Sequence, residues 1–365
     1  MRILITCPRA PVAIEWARIA QRNGHEVTFI DSLKNPLGKY LSAIKYVRVS
    51  SPRFEFAKYK EEVLKLIAEH DLVIPTCEDI FYLTNVSQGT GFEKKIFSPT
   101  FELLIGLHNK DTVGNYLNEF VKFPNTRLVT NPEQVDYNNQ NTILKPVFSR
   151  FGTNIVRSIS KDEVSRLDIS DKYPWIQQQK IDGEYLCNYA IINNGVVVDH
   201  VVYTPRYLVN NAAATYFEHT NNTQCEDFIR RFAEDNQFTG QVAFDFIQNK
   251  NGLYVIECNP RATSGLHLIS NRISIATDGF KVSPIKPHKA CRVGGSILFM
   301  FGLRSIVSGT VINLVRDYRK SRDVLQEISL RAQLMSFVEL YKVKSKNKIT
   351  FAEATAYDIE YNHEQ

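Results

Sequence analysis

The chain has 365 residues, a formal net charge of +5, 44% apolar and 23% charged residues, the composition of an ordinary globular protein with room for two or three packed modules. That composition excludes a disordered or fibrous chain. Six cysteines (Cys7, Cys77, Cys187, Cys225, Cys258, Cys291) are scattered with no CxxC pair, so neither a disulfide framework nor a zinc site is indicated, and a reducing, cytoplasmic setting is expected.

In chain order, the apolar run at residues 3–7 stops at Pro8 and is too short for the core of a secretion signal. RILIT, a helix over residues 12–23 ended by Gly24, and the strand HEVTFID open a βαβ unit. A helix over residues 54–69 running into DLVIPT continues the alternation, so residues 1–107 form a small doubly wound α/β domain. Its first turn, Thr6-Cys7-Pro8-Arg9-Ala10-Pro11, has no GxGxxG, and dinucleotide binding is not expected. Cys77-Glu78-Asp79, just after a strand, is a place for ligand contact.

From residue 143 the texture becomes α+β, with antiparallel strands TILKP, TNIVRSI, WIQQQ, EYLCNYAII, VVVDHVVY, QVAFDFI and LYVIECN. Asn193-Asn194-Gly195 and Asn249-Lys250-Asn251-Gly252 mark hairpins. The most informative stretch is GQVAFDFIQNKNGLYVIECNPRATSG, with Asp245 on one strand and Glu257 and Asn259 on one face of the next. Carboxylates in strands that are otherwise apolar need a counter-charge. Oxygen donors so placed suit a hard cation such as Mg2+, while pairing with Arg or Lys is the plain structural alternative. Arg261 adds a fixed positive charge suited to phosphate, and Cys258 faces the opposite side as core. Upstream, Lys145 in Ile143-Leu144-Lys145-Pro146 precedes the small polar loop Ser149-Arg150-Phe151-Gly152-Thr153-Asn154, a combination that can cradle phosphates.

The order of these pieces, from His108 to about Ser270, resembles the ATP-grasp superfamily, and the whole chain is similar to its carbamoyl-phosphate-synthase-like single-chain members. The resemblance implies an ATP-grasp fold, α/β and α+β, with a Rossmann-like pre-ATP-grasp domain at 1–107. It implies a lid subdomain with the phosphate loop at 108–175, a catalytic and metal subdomain at 176–285, and a basic helical region at 286–365 packed on the others. It further implies that Lys110 and Lys145 hold phosphate, that Ser149, Gly152 and Thr153 belong to the phosphate loop, and that Gln178 meets the adenine amine. By the same resemblance the backbone of Gln179, Lys180 and Ile181 serves the ring edge, and Glu184 takes the ribose. Asp245, Glu257 and Asn259 match the set that holds Mg2+, with Mn2+ as the alternative, and Arg261 matches the phosphate-side arginine. The hinge has Gln178 where several relatives carry Glu, and an amide oxygen still accepts from the adenine amine.

The activity so implied is activation of a carboxylate by ATP as an acyl phosphate, then attack by an amine, with release of ADP and phosphate. Phosphorylation of bicarbonate or carbamate, and an ATP-binding module without turnover, are the rivals. Arg206 in VVYTPRY is a candidate clamp for the substrate carboxylate, or else a strand-end arginine, and His219, Thr263, Ser264 and His267 are further candidates. The apolar stretch 293–315 is interrupted by Arg304 and four glycines and is expected to be a packed helix and not a membrane span. Residues 291–350 hold eleven Lys or Arg against four Asp or Glu. Such a segment can meet anionic lipid or an acidic partner, although a solvated helix face is the plainer expectation and nucleic acid is not expected. The substrates expected are a small carboxylate and an amine, and a homodimer is compatible with the sequence.

Overall fold

A computed structural model of the chain describes all residues except 150–153, 210–212, 296, 299–300, 302–304, 306–307 and 363–365, and the side chains of 209 and 213. Gly152, Thr153 and Arg304 therefore lie outside the described residues. The N-terminal unit runs β1 (Arg2–Thr6), α1 (Pro11–Arg22), β2 (Glu26–Asp31), β3 (Lys45–Arg48), α2 (Phe56–Glu69) and β4 (Leu72–Ile74), then α3 (Asp79–Ser87) and α4 (Phe101–His108). Its four strands are parallel in the order β3-β2-β1-β4, as helical crossovers dictate. Pro11 starts α1 at a position that needs no N–H, and Gly24 at φ +74° follows its end.

Where a glycine-rich turn would follow β1, the buried Arg9 is inserted instead. Its guanidinium pairs with Asp31 at the end of β2 and, at 2.6 Å, with Asp358 from the C-terminal tail. Ser32 also bonds Asp358. The tail thus covers the carboxyl edge of this sheet, where open α/β sheets usually take ligands. The strand-like alternation of TAYDIEYNHEQ does not become a strand: residues 355–359 are turns, and Tyr361 is packed on Phe81 at 5.2 Å.

The lid follows as β5 (Thr126–Val129), β6 (Thr142–Pro146) and β7 (Trp175–Gln179), antiparallel in the order β5-β7-β6. Its outer face buries Val129, Leu144, Val164 and Trp175. Strand β7 belongs to this sheet, so the lid extends to Gln179 instead of ending at 175. Of TNIVRSI, the described residues contribute only an isolated bridge, Val156 to Leu144.

The large sheet is built from β8 (Glu184–Asn193), β9 (Val196–Val209), β10 (Ala213–Thr220), β11 (Gly240–Asn249) and β12 (Gly252–Asn259). Asn194 and Gly195, both at positive φ, turn β8 into β9. One face of the sheet is covered by α5 (Thr223–Asp235): Phe228 and Phe232 stand edge-on to Phe244 at 4.9 and 5.0 Å. The other face joins α1 of the N-terminal unit in one core that includes Trp16, Tyr189, Ile191 and Tyr203. A short helix α6 (Leu266–Ile269) and the hairpin of β13 (Ile273–Ala276) and β14 (Gly279–Val282) follow.

Beyond residue 286 the chain is not purely helical. Strands β15 (Ala290–Arg292) and β16 (Arg322–Asp323) extend the large sheet, whose order among the described residues is β12-β11-β8-β9-β10-β15-β16. Helices α7 (Val311–Lys320), α8 (Leu330–Asn347) and α9 (Phe351–Ala354) complete the chain. Among the described residues no helix is long and apolar enough to cross a membrane.

Candidate functional site

The site forms where the lid sheet faces the large sheet. On β11, Val242, Phe244 and Phe246 join the core under α5, so alternation turns Ala243 and Asp245 to the opposite face. Asp245 stands directly across from Glu257 on β12, and Ala243 across from Asn259. Glu257 and Asn259 therefore share the face of Asp245, while Cys258 is buried on the far side with Phe244. The register shifts just after Asp245, because Phe246 pairs with Val255 and Ile256 is the extra residue of a bulge.

Two lysines converge on this carboxylate pair. Lys145 leaves β6 and donates from Nζ to the Ile256 carbonyl at 3.1 Å. Lys110, in the loop after α4, lies 3.4 Å from Glu257 Oε1 and donates to the Ser149 carbonyl at 2.9 Å. Both are buried, at 5% and 4% exposure. Burial, then the charge of Lys110, pulls Lys145 down to about 8 against the opposing pull of Glu257 and Asp245. Burial, then the charge of Glu257, pushes Asp245 up to about 6, although hydrogen bonds from Cys187 and Tyr185 act the other way. Two carboxylates and two buried ammonium groups held this close to each other form a preorganised charged site.

Strand β12 ends at Asn259, so Arg261 does not continue the strand row. The turn folds it back instead, and its Nη2 donates to Asn259 Oδ1 at 3.1 Å, with Nε 3.8 Å from Glu78. Glu78, from the Cys77-Glu78-Asp79 turn, is thereby part of this site. Further along, Gly265 passes so close to the sheet that a Cβ there would lie 2.3 Å from Tyr189 Cβ.

At the hinge, Gln178 lies on the same lid face as Lys145, since Gln178 pairs with Ile143 and Lys145 with Ile176. It is 2% exposed, and its amide nitrogen donates to Thr126 Oγ1 at 2.9 Å, which leaves its carbonyl oxygen as the acceptor. The backbone N–H groups of Gln179 and Lys180 donate to Asn125 and Asn141 at 2.8 and 2.9 Å. Those two donors are committed to the fold. Gly183 passes against Gln248, where a Cβ would meet the carbonyl at 2.3 Å, and exposed Glu184 follows at the start of β8. Lys180 is at the surface, paired with Asp182 at 3.4 Å.

Arg206 is not part of the site. It pairs in register with Tyr216, on the face of β9 opposite to Tyr203, which is in register with Cys187 and through it with Asp245. Its half-exposed guanidinium pairs with Glu218 at 2.6 Å and lies 3.7 Å from Asp317. His267 is structural: its Nδ1 contacts Glu15 at 2.8 Å, and Arg322 holds the same carboxylate at 2.8 Å.

Sequence reasoning named His219 but missed Cys187 and Tyr203, which connect it to the acids. Cys187 is opposite Asp245, Tyr203 opposite Cys187 and His219 opposite Tyr203, a row across four strands. The alternation of Tyr185 and Cys187 in EYLCNY was the available signal. His108 was also missed as a site neighbour. It is packed between Phe81 at 4.8 Å and Phe148 at 5.5 Å, and burial, then the charges of Lys110 and Arg261, holds it well below the usual imidazole range.

Residues 107–265, the stretch that holds Lys110, Lys145, Gln178, Asp245, Glu257, Asn259 and Arg261, match the family model of the ATP-grasp domain. That stretch thus matches an ATP-grasp domain, and it follows an α/β unit of parallel strands. Among solved structures its fold is similar to an N5-carboxyaminoimidazole synthetase from Staphylococcus aureus complexed with ADP (TM-score 0.62, 12% identity, 84% of this chain and 86% of that one). It is also similar to an L-amino acid ligase from Bacillus licheniformis (TM-score 0.58, 15% identity, 74% and 70%). A third is a phosphoribosylamine–glycine ligase from Thermotoga maritima (TM-score 0.53, 16% identity, 72% and 69%). A comparison with curated proteins found no sequence match.

Proposed function

We propose that the chain is an ATP-dependent, ADP-forming ligase that activates a carboxylate as an acyl phosphate for attack by an amine. The observation that carries this reading is the convergence of Lys110 and Lys145 on the facing carboxylates Asp245 and Glu257. The named solved structures with this fold include a synthetase and two ligases, and the L-amino acid ligase and phosphoribosylamine–glycine ligase are the models for joining an acid to an amine.

The donor set fits a hard cation. Asp245 is pushed up to about 6 by its burial and by Glu257, so the pair gains from a positive charge between its oxygens, and Asn259 adds an amide oxygen on the same face. Asp245, Glu257 and Asn259 would hold Mg2+, or Mn2+, which supplies charge neutralisation and orientation for the phosphates. The chain's own cations do the rest. Lys145 exchanges the Ile256 carbonyl for a phosphate oxygen, Lys110 approaches from the Ser149 side, and Arg261 faces the same phosphates from the turn after β12. Gln178 accepts from the adenine amine through its carbonyl oxygen, and Glu184 takes the ribose hydroxyls.

No side chain has to become covalently attached to the substrate. The acid's carboxylate oxygen attacks the terminal phosphorus and ADP leaves. The amine then attacks the acyl carbon and phosphate leaves, carrying one oxygen from the acid. That oxygen is the test: with an acid labelled with 18O in its carboxylate, the label must appear in the released phosphate. Release of unlabelled phosphate would overturn the acyl-phosphate reading.

A further inference from the structure

Helix α8 is built inside out. Its inner face buries Ala332, Ser336 and Leu340, while five of its large apolar residues point to solvent. Leu330 is 83% exposed, Leu334 61%, Phe337 51%, Val338 42% and Tyr341 51%. At 3.6 residues per turn these five fall within a sector of about 100°. Phe351 of α9 stacks on Phe337 at 5.1 Å and prolongs the patch. A contiguous apolar stripe of this kind on a surface helix marks an interaction face.

The charges around the stripe have one sign. On the helical wheel Arg331 and Lys342 fall on one flank and Lys344 on the other, with Lys346 and Lys348 at the C-terminal end. The one acid of the helix, Glu339, is turned inward, where it accepts from the backbone amides of Lys34 and Asn35 at 2.7 and 2.6 Å. A symmetric contact with a second copy would set this cationic rim against itself. An anionic bilayer answers both features, taking the apolar residues below the headgroups and the long cationic side chains at headgroup level.

We propose that α8 is a membrane-surface element that lays its outer stripe on a bilayer rich in anionic lipid and holds the ligase domain beside it. The helix lies flat in the interface and does not cross it. The stripe is what the sequence reading of a basic, solvated segment lacked.

Cosedimentation of the full chain with vesicles tests this, using phosphatidylcholine alone and phosphatidylcholine mixed with phosphatidylglycerol, at low and high salt. The expected result is binding to the mixed vesicles only, weakened by salt and weakened at least about tenfold in Phe337→Glu and in Lys342→Glu. Unchanged ATP binding by both variants shows that they are folded, as expected for substitutions at exposed positions. Failure to bind the mixed vesicles at low salt overturns the proposal, as does binding that ignores Phe337→Glu. A wild-type dimer that Phe337→Glu dissociates, without vesicle binding, assigns the face to a second copy and also overturns it.

Discussion

Lys145 reaches from the lid to the carbonyl of Ile256 at 3.1 Å, and Ile256 is the bulge residue beside Glu257 on the large sheet. The lid is thus tied through Lys145 to the strand that carries Glu257 and Asn259. Because the bulge leaves Ile256 outside the pairing with β11, its carbonyl is open to an incoming donor.

Replacement of Lys145 by Met keeps the volume and removes the charge. The expected outcome is a loss of about a hundredfold or more in kcat with ATP. The melting temperature should change little, since a buried ammonium group is costly to hold. Steady-state kinetics beside a thermal melt check both halves.

The two shifted groups set a pH window. Asp245, at about 6, is ionised above that value, and Lys145, at about 8, is protonated below it. Both carry charge only between them, so kcat/KM for ATP should be bell-shaped with limbs near 6 and 8, because this ratio reports the free enzyme. In a Lys145→Met variant the residual activity should lose its alkaline limb.

Glu15 of α1, His267 of α6 and Arg322 of β16 bind three regions of the chain together. Burial alone would raise Glu15, but hydrogen bonding and charge from His267 and then Arg322 hold it well below the usual carboxylate range. A depressed carboxylate contributes stability that is present above its unfolded pKa of about 4.3 and lost as pH falls further. Glu15→Gln should cost about 3 kcal/mol near neutral pH, since it leaves Arg322 without its counter-charge. It should also flatten the fall in stability below about pH 4.3, measured by urea unfolding across pH.

Gln178 is positioned by its bond to Thr126 at 2.9 Å. Gln178→Leu removes the carbonyl oxygen proposed above as the acceptor for the adenine amine, and the expected rise in KM for ATP is about tenfold with kcat much less affected. ATP titrations compared with GTP would show the preference for adenine reduced.

Much of the fold was legible because its signals are local. The β1–α1–β2 pattern, the Asn194-Gly195 turn and the alternation around Asp245 and Glu257 each depend on neighbouring residues. The side on which Arg206 emerges depends on registers across several strands, and its partner Asp317 lies more than a hundred residues away in sequence. The same applies to Asp358, whose contact with Arg9 spans nearly the whole chain. In α8 apolar residues lie on every side of the helix, so which of them meet the protein was not legible, since Ala332 and Ser336 mark a buried side only once the helix is docked.

The most direct measurement is release of ADP and phosphate from Mg-ATP by the purified chain across a panel of carboxylic acids, with and without amines, beside Glu257→Gln. The account predicts turnover that needs both an acid and an amine, a product whose mass is their sum less water, and no turnover in the variant. Turnover supported by bicarbonate alone, or ATP binding without turnover for any acid in a broad panel, would contradict it.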